Sequence, residues 1–430
     1  MRSLLALAAV AWLLGCRPAR ADDDDWTAKL VARADVIAKK VATLRGLKIK
    51  RTIAKGVMTD EQLRARILTS MEEDTTPAER AAEAAMAKRW GLVPMDTDLD
   101  TLLIDLLTEQ IAGFYDPKEG KLYVSAKPHT DDNWADMLMA HEITHALQDQ
   151  HFALEPWMEA VKGNGDSTAA RQALVEGDGV ALMIEYILAE QGQGPPWAHD
   201  EIVGMMTGAM DSTGGGDLMA AAPLAVREGL IFPYRAGVGF VAALRRDQPW
   251  SKIDRLFKQP PVSTEQILHP ALFLAGEGPD EIAAPKGALH AGVWGEEGWR
   301  VFLRAHGVDA AKAASAAAGW GGDRVALTGA ADAIATPRRT TGVALTTWDS
   351  EVDALEFWNA LGQALDALVV GPEVVVEPTR IVWLDADGRV TAAELRDRRI
   401  AFVTGAGVVR WRAALDDAWT WPITWAAGHK

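Results

Sequence analysis

The chain has 430 residues, 49% hydrophobic and 24% charged, an ordinary globular composition too long for one small core. Its formal net charge of −16 repels phosphate backbones and argues against nucleic acid as a partner. A single cysteine excludes any disulfide within the chain.

The first predicted element is an export signal. Arg2 precedes an apolar run from Leu4 to Leu14, followed by Gly15 and Cys16, and that run is too short to span a bilayer. Ending in Leu13-Leu14-Gly15-Cys16, it resembles the lipobox of bacterial lipoproteins. The resemblance implies removal of residues 1–15, lipid attached to the Cys16 thiol, and an envelope protein held to a bilayer by that anchor. A plain signal peptide, or a buried free cysteine near the start, is the alternative reading. Arg17, rather than aspartate, after Cys16 points to the outer membrane by likeness to lipoprotein sorting signals. Residues 16–25, ending in four aspartates, read as an acidic tether. No later segment holds about 18 uninterrupted apolar residues, so no second membrane element is expected.

Beyond the tether, residues 26–90 carry a helical pattern, and Thr76-Pro77 offers a cap with proline in the first turn. A further apolar-periodic helix is expected over Leu99–Phe114. The period then switches. Residues 113–127 read as a hairpin turning at Asp116–Gly120, with Tyr115, Leu122 and Val124 as strand formers. Lys121–Lys127 is expected at the sheet edge, where it can pair a peptide through main-chain hydrogen bonds. A helix capped by Asp131 or Asp132 follows without interruption to Phe152, and another covers Ser167–Gln191. Gly192–Pro196 and Asp211–Asp217 read as loops, and Tyr234–Arg246 and Ser263–Leu268 as helices. Past Pro270, short strands alternate with a helix over Ser350–Leu365. The expected fold class is therefore α+β: a largely helical domain over 26–272 with a small β-sheet, then a smaller α+β portion over 273–430.

The segment Met137–Phe152 carries the chemistry. On a helix, positions i and i+4 share a face, so His141 and His145 can point at one ion. Glu142 lies between them in the HExxH spacing, within reach of an open coordination position. Zinc takes neutral imidazoles and lowers the pKa of bound water to ~7, and an adjacent carboxylate can then accept the proton. A catalytic site wants a third protein ligand. Glu176, in Ala173-Leu174-Val175-Glu176-Gly177, supplies a carboxylate in the next helix; Asp178, His151 and His269 are its rivals.

HExxH followed by a glutamate on a later helix resembles the gluzincin branch of zinc metallopeptidases, of the thermolysin-like type. Together with the segments around Glu176, Tyr234 and His269, the motif also resembles a group of bacterial exported proteins with a zincin-like peptidase domain. The resemblance covers residues 115–270. It implies Zn2+ held by His141, His145 and Glu176, with Glu142 as general base acting on a peptide or protein substrate. It further implies a donor that stabilises the developing negative charge, for which Tyr234 and His269 are candidates; Tyr115 and Tyr123 read as packing residues. One departure stands out. Thermolysin-like enzymes commonly place a histidine-orienting aspartate four residues after the third ligand, where this chain has Val180, so Asp178 or Asp149 is expected to do the orienting.

The alternatives are a non-catalytic envelope lipoprotein with a structural or relic zinc site, and a hydrolase of non-peptide amides. A fourth protein ligand would favour the structural site. Asp385, Asp387 and Glu394 fall on positions of a calcium loop, but its first position is Trp383, and a hairpin turn at Asp387-Gly388 explains the same residues. The 17 tryptophans read as packing residues.

Overall fold

The structure is a computed structural model describing residues 8–10, 24–125, 132–212 and 216–426. Its first part holds β1 (Ala8–Val10), α1 (Asp24–Arg45), β2 (Ala54–Met58), α2 (Asp60–Asp74), α3 (Pro77–Arg89), α4 (Leu99–Gln110), β3 (Ile111–Asp116), β4 (Lys121–Ser125) and α5 (Asp132–Phe152). There follow α6 (Leu154–Glu159), α7 (Gly165–Glu190), α8 (Asp200–Ser212), α9 (Gly216–Ala221), α10 (Leu224–Arg245), α11 (Ser251–Leu256), α12 (Thr264–Leu268) and α13 (Pro270–Ala275). The caps are legible locally. Thr59 with Gln62 and Thr76 with Glu79 form capping boxes, and Asn164 caps α7.

The small sheet has the order β1-β3-β4-β2, with β3 antiparallel to β4 and β2 parallel to it. Helix α5 packs on one face, while α2 and α4 bury Ile111, Phe114 and Tyr123 on the other. This arrangement corrects the sequence reading in three places. Lys121–Ser125 lies inside the sheet and is not its edge. The helical pattern over 26–90 is broken by β2, and α4 ends at Gln110 because Ile111–Asp116 is strand-forming and buried along its whole length. The outer edge of β3 is taken by β1, with Ala9 opposite Gly113.

The second part holds β5 (Glu281–Ile282), β6 (His290–Gly292), α14 (Gly295–Ala305), α15 (Ala310–Ala317), β7 (Trp320–Thr328), β8 (Thr341–Trp348), α16 (Glu351–Leu368), β9 (Glu373–Glu377), β10 (Arg380–Leu384), β11 (Arg389–Arg396), β12 (Arg399–Gly407), α17 (Trp411–Ala418) and β13 (Ile423–Thr424). Seven strands form one antiparallel sheet in the order β6-β7-β8-β12-β11-β10-β9. α14, α15 and α16 cover one face and α17 the other. Trp299, Trp320, Trp348 and Trp383 are buried in it, as packing residues should be. The β10–β11 turn has Gly388 at φ +71°, and Asp385 accepts the Asp387 and Arg389 amides, a turn that needs no cation. The fold is α+β, as its composition pattern leads one to expect.

The two parts share core. Trp90, at the end of α3, packs edge-on against Trp294, Phe302 and Phe402 of the second part. Asp166 of α7 accepts hydrogen bonds from the Thr264 amide and hydroxyl and lies against Gly295. Among the described residues, no helix is long and apolar enough to cross a membrane. Cys16 and the tether as far as Asp23 lie outside the described residues, and α1 already begins at Asp24.

Candidate metal centre

Helices α5 and α7 lie side by side in the first core, and each contributes to one buried cluster. His141 Nε2 is 2.9 Å from His145 Nε2 and 3.2 Å from Glu176 Oε2, and His145 Nε2 is 3.4 Å from that same oxygen. Three ligand atoms spaced this way approximate the edges of a tetrahedron around an ion at the ~2.0–2.1 Å bond lengths of zinc, for which an edge is about 3.3 Å. Glu176 Oε1 is buried without a hydrogen-bond partner, a costly state unless something charged lies nearby. The donor set therefore fits a divalent cation. Among the described residues this is the one group of histidine and acidic side chains that meets the spacing for metal binding.

Backbone proximity makes the cluster. An added Cβ at Gly177 would sit 2.2 Å from the backbone of Gly237, and one at Gly237 would sit 2.0 Å from the Ala173 carbonyl. α7 and α10 thus touch main chain to main chain, which brings Tyr234 up to Glu176. The Tyr234 hydroxyl hydrogen-bonds the Glu176 carboxylate, and its ring lies 6.2 Å from that of His141. Burial, then the charges of Glu176 and Glu142, raise the Tyr234 pKa well above that of a free tyrosine, so it stays a neutral donor. Gly179 is needed too: a Cβ there would lie 2.8 Å from the His141 ring. On the far side, β3 passes so close to α5 that a Cβ at Gly113 would be 3.7 Å from Glu142 Cγ.

The second ring nitrogen of each histidine is also occupied. His141 bonds the backbone of Gly179. His145 Nδ1 is 2.8 Å from Gln148 Oε1, and Gln148 Nε2 donates to the Val175 carbonyl and, at 2.8 Å, to Asp178. Asp178 accepts two hydrogen bonds from fully buried Arg45, at 2.8 and 3.0 Å, and Arg45 reaches on to Asp254 at 2.6 Å. Burial and the neighbouring His145 lower the His141 pKa. Burial also works against protonating His145, but the Glu176 carboxylate more than offsets it and raises that pKa to about 9.

The rival ligands lie elsewhere. His151 bonds the Lys48 carbonyl at 2.8 Å, and His269 pairs with Glu296 at 2.9 Å, so His269 is neither ligand nor donor here. Asp178 does orient a histidine, but through Gln148. Asp149 does not, since it accepts from the Tyr115 hydroxyl instead. Gln148 was within reach of the sequence, three residues after His145 on the same helix face. Arg45 and Asp254 were not, because nothing in the spacing of residues 45, 178 and 254 announces their contact.

A family model described as a domain of unknown function (DUF8575) matches residues 284–417, which lie wholly within the second part. No curated protein and no solved structure matches the chain.

Proposed function

We propose that this protein is a zinc-dependent metallopeptidase, exported and lipid-anchored at Cys16, with His141, His145 and Glu176 as ligands and Glu142 as general base. One observation carries the reading: three donors on two helices converge, and no fourth histidine or acid joins them among the described residues. A purely structural zinc site would be closed by a fourth protein ligand. When bound, zinc acts as a Lewis acid and lowers the pKa of water to ~7.

The chain's own residues supply the rest. Glu142 accepts a proton from the attacking water and delivers it to the leaving amine. Gln148 and Gly179 fix the ring orientations of the two histidines. Tyr234, a neutral donor beside Glu176, is the group suited to stabilise developing negative charge. A peptide is favoured over other amides because the outer edge of β3, beside Glu142, accepts an extended strand in antiparallel register, as its pairing with residues 8–10 illustrates.

One observation favours the non-catalytic alternative: His141, Glu142, His145 and Glu176 are each no more than 1% exposed. A digest of a broad peptide library, paired with metal analysis, separates the two readings. The wild type is expected to bind one zinc and cleave, and Glu142→Gln to keep the zinc and lose turnover by about 10³-fold or more. Zinc without cleavage in the wild type would leave the structural reading standing. Substituting Cys16→Ser is expected to move the protein from the membrane to the soluble fraction; retention on the membrane would remove the lipid anchor.

A further inference from the structure

Helix α10 presents two faces. Tyr234 and Gly237 face α7 and the metal cluster, while Arg227, Glu228, Ile231, Arg235 and Phe240 face away, into a cavity of about 1040 Å³. α8, α9 and α12 to α15 contribute its other walls. This volume lies at the top of the ~300–1,000 Å³ range usual for small-molecule sites.

The lining is unusual for so acidic a chain. It carries Arg227, Arg235, Arg300 and Arg304 against one acid, Glu228, a surplus of three positive charges. Glu228 accepts from Arg304 at 2.7 Å and from Arg235 at 3.1 Å, so it is already shared between two guanidiniums. Glu297, behind the wall, stands 3.5 Å from Arg300 and 3.9 Å from Arg235. Burial raises Glu297 to about 7 despite those arginines, so near neutral pH it offsets them only in part. Arg227 reaches a carbonyl, that of Ala220, at 3.4 Å. Apart from Thr207, the remaining side chains are apolar, among them Met219, Leu224, Ile231, Phe240, Ile267 and Leu268. Several arginines gathered in one concave site mutually repel, and an anion relieves that repulsion by bidentate hydrogen bonding. The apolar walls in turn favour a hydrocarbon body attached to the anion.

We propose that this cavity binds an amphiphile with a single anionic head on an apolar chain, the head on Arg227 and Arg300 and the chain against Ile231, Phe240 and Leu268. The site is separate from the metal cluster, and the proposal stands whether or not the protein is a peptidase. The head is a carboxylate, as in a fatty acid anion, or a phosphate, as in a lipid head group, and the binding arms tell these apart.

Isothermal titration of the full chain with decanoate, decyl phosphate, decanol and inorganic phosphate tests it. One of the two charged amphiphiles is expected to bind saturably, at least about tenfold tighter than decanol or inorganic phosphate, the tighter one identifying the head. The double variant Arg227→Gln, Arg300→Gln is expected to weaken that binding about tenfold or more at an unchanged melting temperature. Glu228→Gln, which removes the one acidic side chain of the lining, is expected to tighten it, a gain that damaged folding would not produce. Decanol binding as well as the charged amphiphiles, or inorganic phosphate doing so, would overturn the proposal. So would affinities unchanged in both variants.

Discussion

His145 is held at both ends of its ring, Nε2 toward the cluster and Nδ1 by Gln148, and the second contact decides how well the first is aimed. Gln148→Ala is expected to weaken zinc binding about 10–100-fold, read by titration against a chelator, while leaving the fold intact. Unchanged affinity would remove Gln148 from the positioning role. Asp178 tests a different term. Asp178→Asn leaves Arg45 buried with one charged partner fewer, and breaking a buried pair costs about 3–5 kcal/mol. That change is therefore expected to appear chiefly in the melting temperature, and a variant as stable as wild type would contradict it.

At the scale of elements, the α7–α10 crossing sets the geometry of the centre. Gly177→Ala forces a methyl into the backbone of α10 and is expected to cost at least about 3 kcal/mol and to lower zinc affinity with it, measured by denaturant titration and metal analysis. The junction of α7, α12 and α14 is held differently, by acids kept protonated. Burial raises Asp166 to about 7, against the Thr264 hydrogen bonds that lower it. Burial raises Glu265 to about 9, reinforced by Asp349, Glu296, Asp166 and Glu277 around it. A carboxyl whose folded pKa lies above its unfolded ~4 contributes stability that is complete below that value and is lost as pH rises through the folded pKa. Melting temperature is thus expected to fall as pH rises through about 7, the value of Asp166, to about 9, that of Glu265. In Glu265→Gln the fall is expected to be shallower. A slope identical to wild type would clear Glu265 of the effect.

For the whole molecule, the shared cores make the two parts one cooperative unit. Trp90 is buried among second-part aromatics, so residues 26–272 alone would expose it together with the α3 face that carries Ala85 and Met86. Calorimetry of the full chain is expected to give a single transition, and a chain ending at residue 275 is expected to aggregate. Two separated transitions would show the parts to be independent. The cavity between α10 and α14 spans the same junction, so a ligand there would stabilise both parts together.

The sequence by itself determined what local rules govern. The i,i+4 histidines with Glu142 between them, the continuous helix to Phe152, the cap at Thr76-Pro77, and the hairpin at Asp387-Gly388 all follow from neighbours within a few residues. Glu176 as a candidate third ligand was legible as a carboxylate in an apolar helix, where an unpaired charge is costly. Tertiary structure decided the rest. Whether Glu176, Asp178, His151 or His269 meets the histidines depends on a glycine-mediated helix crossing that no periodicity records. The strand at 54–58 pairs with one more than sixty residues later, and Lys121–Ser125 lies inside the sheet between β3 and β2, because strand order is set by long-range pairing. Arg45 finds Asp178 and Asp254 only once the chain has closed, since burial makes such partners necessary and distance along the sequence hides them.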